Sequence, residues 1–303
     1  MSAICSSYDE QLTRCPVVDL TGYTTHYNLP GHIYGCLLFD GATGTGKDAL
    51  AAAMIRLAVH RGALQKGQPI IETGAGTFAA ALAIAAGRSG HPLTLVVPPS
   101  LEGSRAEFLQ SLGAKLIPSY HQPHGQAGMD LLARELAEQQ GGYYMNYLAN
   151  DDNPEYHRRV TGPAILSATE DGALIDTIVA GVGSGGTITG VGEFIKAWTN
   201  HIRMAAVEPY ECQAIGGGFL GSHSIPNIGF GFVPENYNPY IVDVVMAVTS
   251  GQAKKAAADV LRTDGIPAGA SAGAVLYAAH QLMEKGKTKN ALCIFQSRQN
   301  CGS

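Results

Sequence analysis

The stretch IVAGVGSGGTITGVGEF, residues 178–194, decides how the rest of the chain is read. It opens on an apolar, β-favouring run, passes through a glycine-rich turn, and continues from Thr187 with apolar residues at helical spacing. A strand, a tight turn and a helix in that order make one βα unit. Gly181, Gly183 and Gly186 satisfy GxGxxG, which alone reads as a dinucleotide site. A dinucleotide unit places that turn after its first strand, with an acidic residue about twenty positions on. Here the turn lies deep in the second half, and Glu208, near that distance, begins VEP after a strand. What the turn offers in either case is a row of backbone N–H groups at a helix start, which hold a phosphate dianion without a cationic side chain. A compact phosphate monoester suits it.

Working outward, the short apolar runs YGCLLF (34–39), QPIIE (68–72), LTLVVP (93–98), IDTIVAG (175–181) and RMAAVEP (203–209) read as strands. Their nearly unbroken apolar character marks strands of a parallel sheet buried on both faces. Between them lie helical patterns: KDALAAAMIRLAVHRG, TFAAALAIAAGR, SRAEFLQSLGA, MDLLARELAEQQ, TITGVGEFIKAW and SGQAKKAAADVLRTDG. Several close on glycine, as helix C-termini do. Strand and helix alternate, so the expected class is α/β, with open, mostly parallel sheets flanked by helices. The pattern breaks at GGYYMNYLANDDNPEYH (141–157), which predicts a seam: a smaller mobile lobe over 40–146, and a larger lobe from 1–39 plus 147–303, with a cleft between them. Ligands of open α/β sheets bind beyond the carboxyl ends of strands, where the glycine turns fall.

Two further turns carry chemistry. FDGATGTGKDAL (39–50) satisfies GxxxxGK over residues 41–47 but has Asp48 where a nucleotide-binding loop needs Ser or Thr for Mg²⁺, so a nucleotide triphosphatase is the weaker reading. Lys47 stands in a first helical turn, where a cation opposes the macrodipole and calls for another explanation. GIPAGASAGAVLYAAH (265–280) places Ser271 in a small-residue turn leading into a helix, a position an N-cap serine would also occupy.

The composition narrows the partners. With 303 residues, 46% hydrophobic and 15% charged, the chain has an ordinary globular balance. A formal net charge of −5 gives no basic footprint, which argues against nucleic acid or an anionic membrane surface and leaves a small molecule. MSAICSSYDEQLTRC lacks a charged lead followed by an apolar core, and no run reaches the length of a membrane span; a cytoplasmic protein is expected. Cys5, Cys15, Cys36, Cys212, Cys293 and Cys301 contain no CxxC pair, so reduced structural thiols are expected. His121 and His124 in HQPHG have metal-like spacing without acidic or thiol companions, and no metal is expected.

Taken in order, these turns resemble the fold type II pyridoxal 5′-phosphate (PLP) enzymes with the tryptophan synthase β-like architecture, most closely the cysteine synthase (O-acetylserine sulfhydrylase) and cystathionine β-synthase family. The resemblance runs from about residue 15 to 297. CPVVDL (15–20) is similar to TPLVRL, TGTGKD (43–48) to TGSVKD, and GVGSGGTITGVG (181–192) to GxGTGGTxTGV. AVEP (206–209) is shared, NIGFGFVP (227–234) is similar to GIGAGFIP, and GPAI (162–165) and GIPAGASAGA (265–274) are similar to GPEI and GILAGISSGA.

The resemblance implies that Lys47 carries PLP as a Schiff base, that Gly183, Ser184, Gly185, Gly186 and Thr187 cup its phosphate, and that Ser271 faces the pyridine nitrogen. It implies β-replacement or β-elimination on an O-activated serine or a cysteine-type amino acid through an aminoacrylate, with Lys47 moving the α-proton. A homodimer is implied by analogy. The substrate-carboxylate loop departs from the pattern: where the family has T-S-G-N-T, this chain has Gly74, Ala75, Gly76, Thr77 and Phe78, so Thr77 takes the position of the Asn at the cofactor's 3′-oxygen. Tyr147 takes the place of a Gln ahead of ANDDNPEYH. Two other readings stay open: a specialised biosynthetic enzyme with a non-sulfide nucleophile, and a PLP-retaining binding or regulatory protein without turnover. Ser297, in IFQSRQNCGS, has two readings, approach to the ring from the chain's last segment or, the stronger, a residue of a terminal strand.

Overall fold

The computed structural model describes residues 11, 13–120 and 124–299; Cys5, Cys301 and His121 lie outside them. The chain divides into two compact units, one formed up to Gly46 and again from Asn153 onward, the other over Lys47–Asp152.

The first unit begins with β1 (Val17–Asp19), α1 (Thr21–His26) and β2 (His32–Leu37). The inserted unit contributes α2 (Lys47–His60), β3 (Ile70–Thr73), α3 (Thr77–Ser89), β4 (Leu93–Val97), α4 (Ser104–Ser111), β5 (Ala114–Pro118), α5 (Gln126–Gln140) and β6 (Tyr143–Tyr144). The chain then passes through α6 (Asp152–Tyr156), a π-helical turn (His157–Thr161) and α7 (Gly162–Ala168). It finishes with β7 (Thr177–Gly181), α8 (Gly186–Trp198), β8 (Arg203–Pro209), β9 (Val244–Val248), α9 (Ser250–Asp264), α10 (Ala270–Glu284) and β10 (Asn290–Phe295).

Local chemistry accounts for most of these boundaries. Alanine, the best helix former, fills α3, and Gly90 ends it in the left-handed conformation at φ 75°, its N–H reaching Ala86 O and Gly87 O. A capping box opens α9, with the Thr249 hydroxyl accepting from the Gln252 N–H and the Gln252 side chain from the Thr249 N–H; Gly265 closes it at φ 71°. The expected helix 104–114 stops at Ser111, because Gly113 takes φ 89° and Ala114 already pairs with Leu93 as part of β5.

Among the described residues, six strands of the larger unit form one sheet in the order β1-β2-β10-β7-β8-β9, parallel except for the short edge strand β1. Successive side chains alternate between its faces. Val179, Ala205 and Val207 enter one apolar cluster with Val260 of α9 and Leu276 of α10, while Ile178, Ala180, Met204 and Ala206 enter the other with Ile188 and Val191 of α8. Burial on both faces explains why β7 and β8 read as unbroken apolar runs. The smaller unit has a parallel sheet in the order β5-β4-β3-β6, on which Met129 and Ala133 of α5 cover Ile71 and Val96.

One expectation is overturned. Cys15 and Cys36 form a disulfide, their Cα atoms 5.9 Å apart across 21 residues. The antiparallel pairing of β1 on β2, with Val17 opposite Cys36, brings them together, and no spacing rule within the sequence encodes that pairing. Cys212 and Cys293 are free and buried. Among the described residues, no helix is long and apolar enough to cross a membrane.

Candidate active site

In the larger unit, β7 ends at Gly181 and the chain turns through Val182–Gly185 into α8. Gly185 stands at φ 82°, a conformation open chiefly to glycine, and a Cβ there would lie 2.7 Å from the Tyr237 backbone nitrogen. Side chains at Gly183 and Gly186 would overlap Asn227 O and the Asn153 amide. Tight packing of these glycines lays the backbone bare: from Gly183 to Thr187, none of five successive N–H groups meets an acceptor among the described residues. They converge on the positive end of a thirteen-residue helix, the arrangement that holds a phosphate dianion.

The hydroxyls of this turn are held in place from below. Asn153 Nδ2 donates to Ser184 Oγ at 3.0 Å. Thr187 Oγ1 lies 3.0 Å from His157 Nε2, whose Nδ1 is 2.8 Å from Thr161 Oγ1, and Gln296 Nε2 donates to the same Thr187 hydroxyl. The π-helical turn presents His157 to α8, a register that an ordinary helix through 157–161 would alter.

Ser271, on the first turn of α10, is buried and meets Ser297 Oγ at 2.6 Å. Ser297 follows β10 rather than belonging to it, and it bridges to Thr45. Such a pair presents a neutral hydroxyl group and no carboxylate; a carboxylate beside a heteroaromatic nitrogen would hold that nitrogen protonated.

In the smaller unit, Lys47 opens α2 and is only 7% exposed. Its Nζ lies 5.2 Å from the centroid of the Tyr147 ring, which stacks on Phe78 at 3.9 Å and 14°. Tyr147 is held from behind by Glu72, a carboxyl that burial pushes up to about 7 and that also accepts the Thr73 N–H at 2.6 Å. Gln126 donates to Thr73 Oγ1 at 2.8 Å and to Asp130, which also accepts from Tyr144 OH. Gly74, at φ 90°, donates to Val96 O, and Gly76 is the N-cap of α3, with Thr77 and Phe78 its first two residues. Ala75 O and Gly76 O each accept from Arg105.

The residues named from sequence thus gather within each unit: Gly183, Ser184, Gly185, Gly186 and Thr187 at one helix start, Ser271 at another, and Lys47, Phe78 and Tyr147 at one ring stack beside the 74–78 loop. Asn153, His157, Arg105 and Glu72 are not among the residues the sequence singles out, and of the two sequence readings of Ser297 the terminal-strand one is not what the structure shows. Asn153 and His157 carried a signal, since both sit in the NPEYH run. Each unit by itself holds groups that suit part of a phosphorylated pyridine aldehyde: the smaller a buried amine for a carbonyl, the larger an amide cradle for a phosphate and a hydroxyl for a ring nitrogen. Among the described residues, no group of three or more His, Cys, Asp or Glu side chains gathers as metal ligands.

The comparisons agree with this chemistry. Residues 9–297 match the family described as "Pyridoxal-phosphate dependent enzyme". Cysteine synthase of Staphylococcus aureus (strain N315) is 34% identical over 268 residues, covering 88% of this chain and 85% of that protein. Cysteine synthase A of Escherichia coli (strain K12) is 35% identical over 263 residues, covering 83% and 80%. Among solved structures, O-ureido-L-serine synthase superposes with a TM-score of 0.88 at 27% identity over 97% of this chain and 92% of that one. A cysteine synthase from Entamoeba histolytica gives 0.88 at 29% over 98% and 89%. The chain therefore belongs to the pyridoxal-phosphate-dependent enzymes and is a PLP enzyme of the cysteine synthase type.

Proposed function

We propose that this protein catalyses β-replacement on an O-activated serine. When bound, PLP withdraws electrons from the α-carbon of an attached amino acid, which is what lets the α-proton and then the β-substituent leave. The residues divide the remaining work. Lys47 Nζ would be the covalent anchor and the base that takes the α-proton and returns it. The amides of Gly183–Thr187 would hold the phosphate, and Thr77 would serve the 3′-oxygen. Ser271, hydrogen-bonded to Ser297, would donate to the ring nitrogen, which a neutral hydroxyl does not hold protonated. The amides of residues 75–78 take the substrate carboxylate, with Phe78 and Tyr147 as the wall beneath it.

The observation that carries this reading is the buried Ser271–Ser297 pair at 2.6 Å. A hydroxyl at that nitrogen disfavours reactions that depend on a long-lived charge at the α-carbon, such as transamination, and favours prompt loss of a β-substituent. The stacked Phe78–Tyr147 rings support a second reading within the same class, a nucleophile other than sulfide, because they stand where the resembling enzymes carry Thr and Gln.

The protein is proposed to work as a homodimer, by analogy with its relatives. The cytoplasmic location expected from the sequence stays a proposal, against which the Cys15–Cys36 bond counts, since disulfides are rare in strongly reducing compartments.

The test is the visible absorbance of the purified protein beside a Lys47→Ala variant, titrated with O-acetyl-L-serine and then a nucleophile. A band that needs Lys47, changes with O-acetyl-L-serine and is restored by the nucleophile supports the proposal. A Lys47-dependent band inert to O-activated serines excludes it and leaves the non-catalytic binding reading.

A further inference from the structure

Arg105, near the start of α4, reaches back thirty residues to the loop that joins β3 to α3. Its Nε donates to Ala75 O and its Nη2 to Gly76 O, each at 2.7 Å. The planar fork of a guanidinium spans two successive carbonyls much as it spans the two oxygens of a carboxylate, which a compact ammonium cannot do.

The consequence lies on the far side of the loop. A trans peptide is planar, so the carbonyl of one residue and the N–H of the next point in opposite directions. Holding Ala75 O aims the Gly76 N–H away from Arg105, and holding Gly76 O does the same for the Thr77 N–H. The loop needs such a hold. Gly74 stands at φ 90°, the Gly-Ala-Gly run offers no polar side chain, and α3 has no side-chain cap at its start. Among the described residues, Arg105 supplies the tertiary hydrogen bonds to the carbonyls of residues 75 and 76; Gly76 O also accepts the Ala80 N–H at 3.3 Å in the first turn of α3, and the Gly74 N–H is held by Val96 O. It also adds a positive charge to an amide-lined helix start, which favours an anion there.

We infer that Arg105 is the positioning residue of the substrate-carboxylate site: by clamping Ala75 O and Gly76 O it orients the amides that select an amino acid by its carboxylate. This rests on the proposal above that the 74–78 loop binds that group. In this chain the guanidinium clamp sets the loop's shape from outside, a task that hydroxyl and amide side chains on the loop would otherwise share.

Arg105→Ala and Arg105→Lys test it on the holoenzyme. The expected result is a half-saturating O-acetyl-L-serine concentration, read from the visible spectrum, raised by ~10–100-fold in both variants, the loss of two charge-assisted hydrogen bonds. The cofactor band and the KM for the nucleophile stay at wild-type values. Amide hydrogen exchange over 74–78 accelerates while β3 and the rest of α3 do not change, and methylguanidinium, but not methylammonium, restores the Arg105→Ala variant. Wild-type half-saturation in either variant overturns the inference, as does a uniform loss of cofactor, nucleophile and substrate binding, which marks a merely structural role. If wild-type protein ignores O-acetyl-L-serine, the parent reading falls and takes the inference with it; a responsive wild type beside an unaltered variant overturns the inference alone.

Discussion

Glu72 holds Tyr147 by its backbone: Oε2 of the buried carboxyl accepts the Tyr147 N–H at 2.9 Å across seventy-five residues of sequence, while Oε1 takes the Thr73 N–H. One side chain thus ties the base of the 74–78 loop to the ring beneath Lys47.

That carboxyl makes stability depend on pH. Burial raises it from an ordinary 4.5 to about 7, against the pull of the Thr73 and Tyr147 amides. Between those values the folded protein binds more protons than the unfolded chain, so this group's contribution falls as pH rises from about 4.5 to 7 and is flat above. The full span is on the order of 3 kcal/mol. Glu72→Gln keeps an acceptor for Tyr147 and removes the titration. Thermal melts from pH 5 to 8 should show a shallower decline in Tm for the variant than for the wild type; parallel curves would refute the assignment.

Gly185→Ala should damage the phosphate cradle. The position stands at φ 82°, and the added carbon would lie 2.7 Å from Tyr237 N. A stability loss of about 2 kcal/mol follows from left-handed strain and the clash with backbone. Urea unfolding measures it, and titration of cofactor-free protein with PLP should show at least about tenfold weaker binding, since one charge-assisted contact is worth that much.

The hydroxyl pair at Ser271 and Ser297 predicts reaction choice. Ser271→Ala leaves Ser297 Oγ without its 2.6 Å partner and should slow β-replacement by roughly tenfold. Ser271→Asp should slow it further and speed exchange of the substrate α-proton with solvent, followed by NMR in deuterated water. Faster replacement in the aspartate variant would contradict the role given to Ser271.

Tyr147 and Thr77 predict acceptor choice. Thr77→Asn combined with Tyr147→Gln removes the ring stacked on Phe78 and restores the polar groups found in the resembling enzymes. Sulfide should become a better nucleophile, raising kcat/KM with O-acetyl-L-serine and sulfide. Tyr147→Ala alone should cost about 3–5 kcal/mol by emptying a packed site.

The Cys15–Cys36 bond closes a short loop, and its loss should cost about 3 kcal/mol. A reducing agent should lower the Tm of the wild type and leave Cys15→Ser unchanged. Equal behaviour of the two proteins would show that the bond contributes nothing to stability.

The sequence by itself determined what depends on neighbours along the chain. Apolar runs, helical periodicity and the glycine C-caps are local signals, so the alternating α/β order was legible, as was the glycine turn at 183–187. The places of Lys47 and Ser271 at helix starts were legible through their motifs. The tertiary structure alone decided what depends on strand order: β10, from the far end of the chain, lies between β2 and β7, which sets Ser297 against Ser271 and leaves β1 to carry Cys15 to Cys36. Arg105 on Ala75 and Glu72 on Tyr147 join segments 30 and 75 residues apart. Periodicity reports which face of an element is apolar, and it holds no record of which distant element will meet that face.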